Sequence, residues 1–188
     1  MVRNWEFGSE FDWRFDLATS SSLNNLPWAT AVHTCTARDS IRSLLSMGMD
    51  RFGWKRIFVP SYFCREAIDV LTTFDIHVVA YPDVPGSKLS LPSPRGPGDV
   101  LFVSNTFGLR ANPGAFDSGW TAIMEDHTHD PLSSWALRST SHYCLASLRK
   151  TLPVPDGAVL WSPMHLPLPV VEEQSPDRRA SVLDKMTA

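Results

Sequence analysis

The sequence is poor in cysteine, has no long apolar run and carries no excess of one charge. Its three cysteines, Cys35, Cys64 and Cys144, form no C-x-x-C pair, which argues against a disulfide framework and a thiolate-based zinc site. No stretch approaches the roughly 18 apolar residues of a membrane helix, and the N-terminus lacks the apolar core of a secretion signal. The net charge of −3 indicates neither nucleic acid nor membrane as a partner. We expect a cytoplasmic protein.

Helix-like and strand-like segments alternate along the chain. In "TARDSIRSLLSMGMDRFG" the apolar residues recur at helical spacing, with Thr36 or Asp39 available as a cap and Gly53 as the stop. "CREAIDVL" reads as a second helix, while "KRIFVP", "IHVVAYP", "DVLFVS", "WTAIMED", "SHYCLAS" and "GAVLWS" are short apolar runs typical of buried strands. This pattern predicts an α/β fold of three layers, with a mostly parallel sheet flanked by helices.

Composition divides the chain into three parts. Residues 1–35 contain a Ser/Asn run and are predicted to be an irregular N-terminal segment. Residues 36–165 form the predicted α/β domain, and residues 166–188 are a polar tail or a truncated connection.

Polar clusters follow several of the predicted strands. These clusters are "PSYFC", "SNTFG", "EDHTHD" and "SLRK". In open α/β sheets, ligands bind outside the carboxyl ends of the strands. The four clusters are therefore expected to converge on one site.

The segment "EDHTHD" supplies carboxylates and imidazoles at one strand end. Asp126 is either a helix cap or solvated loop acid, or a partly buried carboxylate that needs a cation beside it. His127 and His129 are two residues apart, a spacing that matches no specific metal motif, and no distant ligand cluster supports them. We expect no metal site.

The segment "SLRK" contains Ser147 and Lys150 in a short S-x-x-K pattern that is common by chance. Alone, Lys150 reads either as a surface lysine with its stem along apolar surface or as an amine nucleophile in an apolar site. The order of motifs adds weight to the second interpretation. A strand ending in E-D-x-x-H precedes S-x-x-K by about twenty residues, and a proline-rich turn follows.

In this order the segments "VLFVSNTFGL", "WTAIMEDHTHD" and "SHYCLASLRKTLPVPDGAVL" resemble the fold-type-I pyridoxal-phosphate (PLP) enzymes. They look most like the sugar-aminotransferase branch, the DegT/DnrJ-like proteins. The resemblance covers roughly residues 30–163 and includes "RIFVPSYFCREAIDVL". It implies the large, PLP-binding domain of these enzymes at residues 36–165, without the C-terminal small domain.

The resemblance implies a role for several residues. Lys150 would form the Schiff base with PLP, and Asp126 would pair with the pyridinium nitrogen. His129 and Asn105 would lie beside the phenolic oxygen of the cofactor. The remaining expected contacts are Ser147 and the amides near Ala37 and Arg38 on the phosphate, with Phe63 or Tyr62 covering the ring.

The implied activity is transfer of an amino group from a small-molecule donor to a keto-sugar or natural-product intermediate. Lyase or decarboxylase chemistry on the same scaffold is a second possibility. A shortened, non-catalytic binding or regulatory subunit is a third, favoured by Ala37 in place of the family's glycine and by the short chain. The resemblance also implies a homodimer or a complementing partner chain.

Overall fold

The computed structural model describes residues 30–152, 154 and 156–171. The predicted N-terminal segment up to residue 29 and most of the predicted tail lie outside these residues. The described chain has seven strands: β1 Val32–Thr34, β2 Arg56–Pro60, β3 His77–Tyr81, β4 Asp99–Ser104, β5 Ala122–Asp126, β6 Tyr143–Ser147 and β7 Ala158–Trp161. Its helices are α1 Ala37–Phe52, α2 Arg65–Leu71 and α3 Ser134–Leu137.

All seven strands join one sheet in the order β1-β7-β6-β5-β4-β2-β3. Strands β2 to β6 pair in parallel, whereas β7 is antiparallel to β6 and β1 is antiparallel to β7. The interior strand β4 is buried along its whole length, as expected for a parallel strand covered on both faces. The predicted α/β fold with a mostly parallel sheet is confirmed.

Helix α1 begins and ends as its sequence predicts. The side chain of Thr36 accepts a hydrogen bond from the Asp39 amide, and Asp39 in return accepts one from the Thr36 amide, which completes a capping box. Gly53 ends the helix in the left-handed conformation, with φ of 64°, which glycine adopts without steric cost. The apolar face of α1, with Ile41, Leu44 and Leu45 fully buried, packs on the sheet.

The two faces of the sheet are covered differently. Helices α1 and α2 lie over one face, where an apolar core extends from Leu44 to Val100 and Leu145. The other face is covered by α3, which contributes Trp135, and by irregular segments, which contribute Trp120. Both side chains belong to the apolar cluster around Phe58, and Trp120 packs on the Phe58 ring. Together these layers form the predicted three-layer arrangement. Within the described ranges, no helix has the length and apolar character required to span a membrane.

Strand β1 lies in the segment that was predicted to be irregular. It has only three residues, too few to show the period-two alternation by which a strand is recognised in a sequence. The domain boundaries at residues 35 and 165 stay predictions.

Candidate active site

A cavity of about 310 Å³ opens at the carboxyl ends of the parallel strands, beside the beginning of α1. Its walls come from α1, from the segment that joins β2 to α2, and from the ends of β4, β5 and β6. Six of the predicted site residues line it: Ala37, Arg38, Phe63, Asp126, His129 and Ser147, together with the predicted nucleophile Lys150. The expected convergence of the strand ends is therefore observed.

Lys150 reaches the cavity because β6 ends at Ser147 and the chain turns at once. Residues Leu148–Lys150 form a single 3₁₀ turn, and the amide of Leu148 donates to the carbonyl of Gly157 at 2.9 Å. The turn is thus tied to the start of β7. The Ser147 amide donates to Thr128 Oγ1 at 3.0 Å, which fixes the end of β6 against the segment after β5. Lys150 itself is half-buried.

Asp126 is the last residue of β5 and is half-buried at the cavity wall. Its Oδ1 accepts a hydrogen bond from the Thr128 amide at 2.8 Å, which closes a short turn and holds the carboxylate in place. The residue pairs across the strands with Ser104 on β4 and Leu145 on β6. A carboxylate on such a rigid edge is suited to hold a cationic N–H group of a ligand.

His129 is held by Phe107, a residue that sequence reasoning missed. The amide of Phe107 donates to His129 Nδ1 at 3.0 Å, and the two rings stack with centroids 5.6 Å apart. Partial burial lowers the pKa of His129, while the charge of Asp126 opposes this shift and that of Lys150 adds to it. The ring is therefore neutral at pH 7. Because Nδ1 accepts, its proton lies on Nε2, which can donate to a ligand.

Phe107 adopts a strained backbone conformation at the mouth of the cavity. Its φ of 59° lies in the left-handed region, which costs a non-glycine residue about 1–2 kcal/mol. Gly108 follows with φ of 68°. Strain of this kind is found where a site requires one particular geometry, but no pattern in the sequence marks a phenylalanine as its carrier.

The first turn of α1 presents backbone N–H groups to the cavity. The amides of Ala37 and Arg38 are the first two of the helix, where no carbonyl of the preceding turn can accept from them, so both can bind an anion. The side chain of Arg38 is paired with Glu66 at 2.8 Å, and both side chains are largely exposed. With Arg149 and Lys150, the lining carries three cations against the carboxylates of Glu66 and Asp126. The cavity favours an anionic ligand.

Asn105 and Phe63 have different positions relative to the cavity. Asn105 is buried and is absent from the cavity wall: its amide group lies 3.5 Å from Ser133 Oγ, and its carbonyl accepts from the Arg110 amide at 3.3 Å. These contacts hold the loop after β4 rather than a ligand. Phe63 lines the cavity, but its ring packs on Phe102 with centroids 4.9 Å apart. The exposed ring of Tyr62, by contrast, lies against Phe107 at the mouth.

No protein-family model and no curated protein matches the sequence. Solved structures do match the fold. A serine palmitoyltransferase of Sphingomonas wittichii is 12% identical over 84% of this chain and 46% of its own, with a TM-score of 0.51. A putative aminotransferase of Burkholderia pseudomallei is 13% identical over 71% of this chain and 44% of its own, also at 0.51. A structure of SPT with a PLP internal aldimine is 10% identical over 72% and 38%, at 0.50.

These matches concern the fold, because the identities are low. The fold is that of the large domain of the fold-type-I PLP-dependent enzymes, as the resemblance implies. The chain spans less than half the length of each of these three solved structures.

Proposed function

We propose that this protein binds pyridoxal phosphate in the cavity and transfers amino groups with it. The observation that carries the proposal is the convergence of Lys150, Asp126, His129 and Ser147 with the beginning of α1 around one cavity. An amine, a carboxylate, an imidazole N–H and an anion site are the four kinds of group that an aldehyde, a pyridine nitrogen, a phenolic oxygen and a phosphate require. The residues present therefore fit this cofactor.

Lys150 is proposed as the catalytic residue. Its Nζ would be the nucleophile that holds the cofactor through its aldehyde carbon, with water as the leaving group. When bound, PLP would supply an electron sink that stabilises negative charge on the α-carbon of an amino acid. A free Lys150 amine would act as the general base that removes the α-proton of the substrate and later returns a proton.

Asp126 and His129 are proposed to bind two polar groups of the pyridine ring. The carboxylate of Asp126 would keep a proton on the ring nitrogen, since a cationic N–H offsets the cost of its own partial burial. His129 would donate from Nε2 to the phenolic oxygen, because the Phe107 amide donates to its Nδ1. Each proposed contact uses the side chain in the role that it has in the structure, with the Asp126 carboxylate as an acceptor and His129 Nε2 as a donor.

Ser147 and the first turn of α1 are proposed to bind the phosphate. The Ser147 hydroxyl lies at the cavity wall, and the amides of Ala37 and Arg38 stand at the positive end of a 16-residue helix. An alanine at position 37 keeps the backbone donor that a glycine would supply. The Arg38 side chain adds a positive charge at the same edge.

The acceptor is proposed to be a keto-sugar or a related natural-product intermediate. Resemblance of the E-D-x-x-H and S-x-x-K segments to the DegT/DnrJ-like branch supports this choice. A second copy of the chain, or a complementing partner, is proposed to cover the open side of the cavity, where Tyr62 and Phe107 are about half exposed, at 51% and 52%.

Two alternatives share parts of this site. Lyase or decarboxylase chemistry would use Lys150 and Asp126 in the same positions, so the reaction products distinguish it from amino transfer. A non-catalytic subunit would not need Lys150, Asp126, His129 and Ser147 together. Their shared cavity favours an enzyme.

The test is to trap the lysine. Full-length protein incubated with PLP is expected to show a new absorbance band that borohydride reduction removes, and peptide mapping should then find the cofactor on Lys150. Lys150→Ala should lose the adduct. Lys88→Ala is the matched control, since Lys88 is exposed on the loop after β3. Absence of an adduct from wild-type protein at saturating PLP, or an adduct on another lysine, would contradict the proposal.

A screen of amino donors then separates the reactions. Release of a keto acid from a donor, with retention of the amino group on the protein–cofactor complex, supports amino transfer. Release of carbon dioxide or ammonia from the donor supports the decarboxylase or lyase alternative.

A further inference from the structure

The opposite face of β5 carries an acid, a histidine and a thiol that the proposed reaction does not use. Glu125 and His127 are two residues apart, so their side chains leave the face opposite to Asp126. Cys144 on β6 is the cross-strand partner of Glu125. Exposed fractions are 1% for Glu125, 0% for His127 and 1% for Cys144. We call these three residues the acid–histidine–thiol cluster.

One carboxylate oxygen is the meeting point of the cluster. Glu125 Oε2 lies 2.9 Å from His127 Nε2 and 3.5 Å from Cys144 Sγ, and it accepts a hydrogen bond from Ser139 Oγ at 2.7 Å. Ser139 Oγ is also 3.4 Å from Cys144 Sγ. In the part of the chain that the structure describes, His127 Nδ1 is buried without a hydrogen-bond partner. Protein groups alone therefore leave this buried imidazole only half satisfied.

The donor set of the cluster suits a cation. Glu125, His127 and Cys144 bring an oxygen, a nitrogen and a sulfur atom together in a part of the fold that is closed to solvent. A divalent ion would neutralise a carboxylate and a thiolate together, so that neither charge is buried without a partner.

We propose that the acid–histidine–thiol cluster binds one divalent transition-metal ion, with zinc as the best match, through Glu125, His127 and Cys144. The three ligand atoms lie within 4.8 Å of one another. Zinc–ligand bonds of about 2.0–2.3 Å in a tetrahedron separate ligand atoms by about 3.3–3.8 Å. The observed Sγ–Oε2 distance of 3.5 Å falls in this range, whereas the Oε2–Nε2 distance of 2.9 Å is that of a hydrogen bond and would widen by about 0.4 Å when the ion replaces the shared proton. Carboxylate, imidazole and thiolate are all established zinc donors.

Binding would replace protons with the metal. The thiol proton of Cys144 leaves to solvent, and any proton shared by His127 and Glu125 leaves with it, so that neutral imidazole, carboxylate and thiolate face the ion. Ser139 Oγ, which lies 2.7 Å from Oε2 and 3.4 Å from Sγ, would be the fourth ligand. Sequence spacing predicted no metal, because Cys144 lies 17 residues beyond His127 and only strand pairing brings the two together.

The proposed metal is structural and independent of the proposed PLP reaction. It would join β5 to β6 through side chains, next to the strand ends that carry Asp126 and Ser147. Because the cluster is sealed from solvent, the metal would be acquired during folding. It would raise the thermal stability without entering the cavity.

The experiment is to express the full chain in minimal medium supplemented with Co²⁺ and to purify it without chelator or PLP. One bound ion per chain is expected by elemental analysis, together with a thiolate-to-cobalt charge-transfer band in the near ultraviolet. Cys144→Ser should remove that band and lower bound metal by about 100-fold or more. Cys64→Ser, which removes an exposed thiol outside the cluster, should keep both.

Two results would overturn the proposal. One is wild-type protein that carries neither cobalt nor zinc after growth in either metal. The other is a charge-transfer band that survives Cys144→Ser or disappears in Cys64→Ser. Should Cys144→Ser fail to fold, His127→Gln is the second test, because it removes one proposed ligand and keeps Cys144: it should carry less than one cobalt ion per chain by elemental analysis. The wild-type measurement stands in any case.

Discussion

The two faces of strand β5 present the same kinds of side chain in opposite environments. On one face Asp126 is half-buried at the wall of an open cavity, and His129 just beyond the strand faces the same space. On the other face Glu125 and His127 are fully buried and contact each other. The open face leaves hydrogen-bonding capacity for a ligand, whereas most of the capacity of the sealed face is used within the protein. Accessibility, and not residue type, separates a reactive site from a structural one here.

The largest expected effect is on the sealed face. Glu125→Ala in metal-free protein leaves His127 and Ser139 without their common acceptor, and each buried donor left unsatisfied costs about 1–3 kcal/mol. Denaturant unfolding measures it. Glu66→Ala is the matched control, because the Glu66 side chain is 66% exposed and its pair with Arg38 is worth less than about 1 kcal/mol. Equal losses in the two variants would contradict the view that the sealed network stabilises the fold.

On the open face we expect a substitution to reduce the activity strongly and to change the stability little. Asp126→Asn keeps the oxygen that accepts from the Thr128 amide but removes the charge that we propose holds the ring nitrogen. Release of keto acid from an amino donor should fall about 100- to 1,000-fold, while the free energy of unfolding changes by less than about 1 kcal/mol. Asp75→Asn, at an exposed position after α2, should leave both unchanged. Unaltered keto-acid release in Asp126→Asn would show that Asp126 takes no part in the proposed reaction.

Much of the fold could be read from local patterns. The strands β2 to β7 and the helix α1 are marked by apolar runs, by helical spacing and by cap residues, because burial acts on each segment separately. The edge strand β1 and the four-residue helix α3 are too short to produce such a signal. Their existence depends on the strands and core that they pack against.

The site was predictable only in part. Asp126 and Ser147 end strands, and His129 and Lys150 come shortly after those ends. Because the strand ends of a parallel sheet converge, the grouping of these four residues follows from chain order. Asn105 also follows a strand, but its side chain turns to Ser133 and Arg110, a choice that depends on tertiary contacts. The position of Phe107 beside His129 and the pairing of Glu125 with Cys144 also depend on tertiary contacts. Sequence spacing predicts neither of them.

The strain at Phe107 should have a smaller effect on stability. Phe107→Ala loses the stack on His129 but keeps the left-handed backbone, whereas Phe107→Gly loses the ring and relieves the strain. The glycine variant is therefore expected to be more stable than the alanine variant by about 1 kcal/mol. Denaturant unfolding of the pair measures the difference. An alanine variant as stable as the glycine variant would show that the backbone at residue 107 relaxes once the ring is gone.

The smallest expected effect is the share of His129 in the pH dependence of stability. Its pKa in the folded protein lies below the unfolded value of 6.5, so the unfolded chain takes up the proton more readily, and stability falls as the pH decreases below about 6.5. His129→Gln should flatten this step, although part of it remains because burial also lowers the pKa of His142.

The step in stability that belongs to the sealed face occurs at lower pH. Glu125 stabilises the fold above its unfolded pKa of 4.5, and that contribution is lost as the pH falls through its lower folded value. Unfolding measured from pH 8 to pH 3 separates the two faces. If His129→Gln altered only the region below pH 4.5, or Glu125→Gln only the region near pH 6.5, the assignment of these two steps to opposite faces of β5 would be wrong.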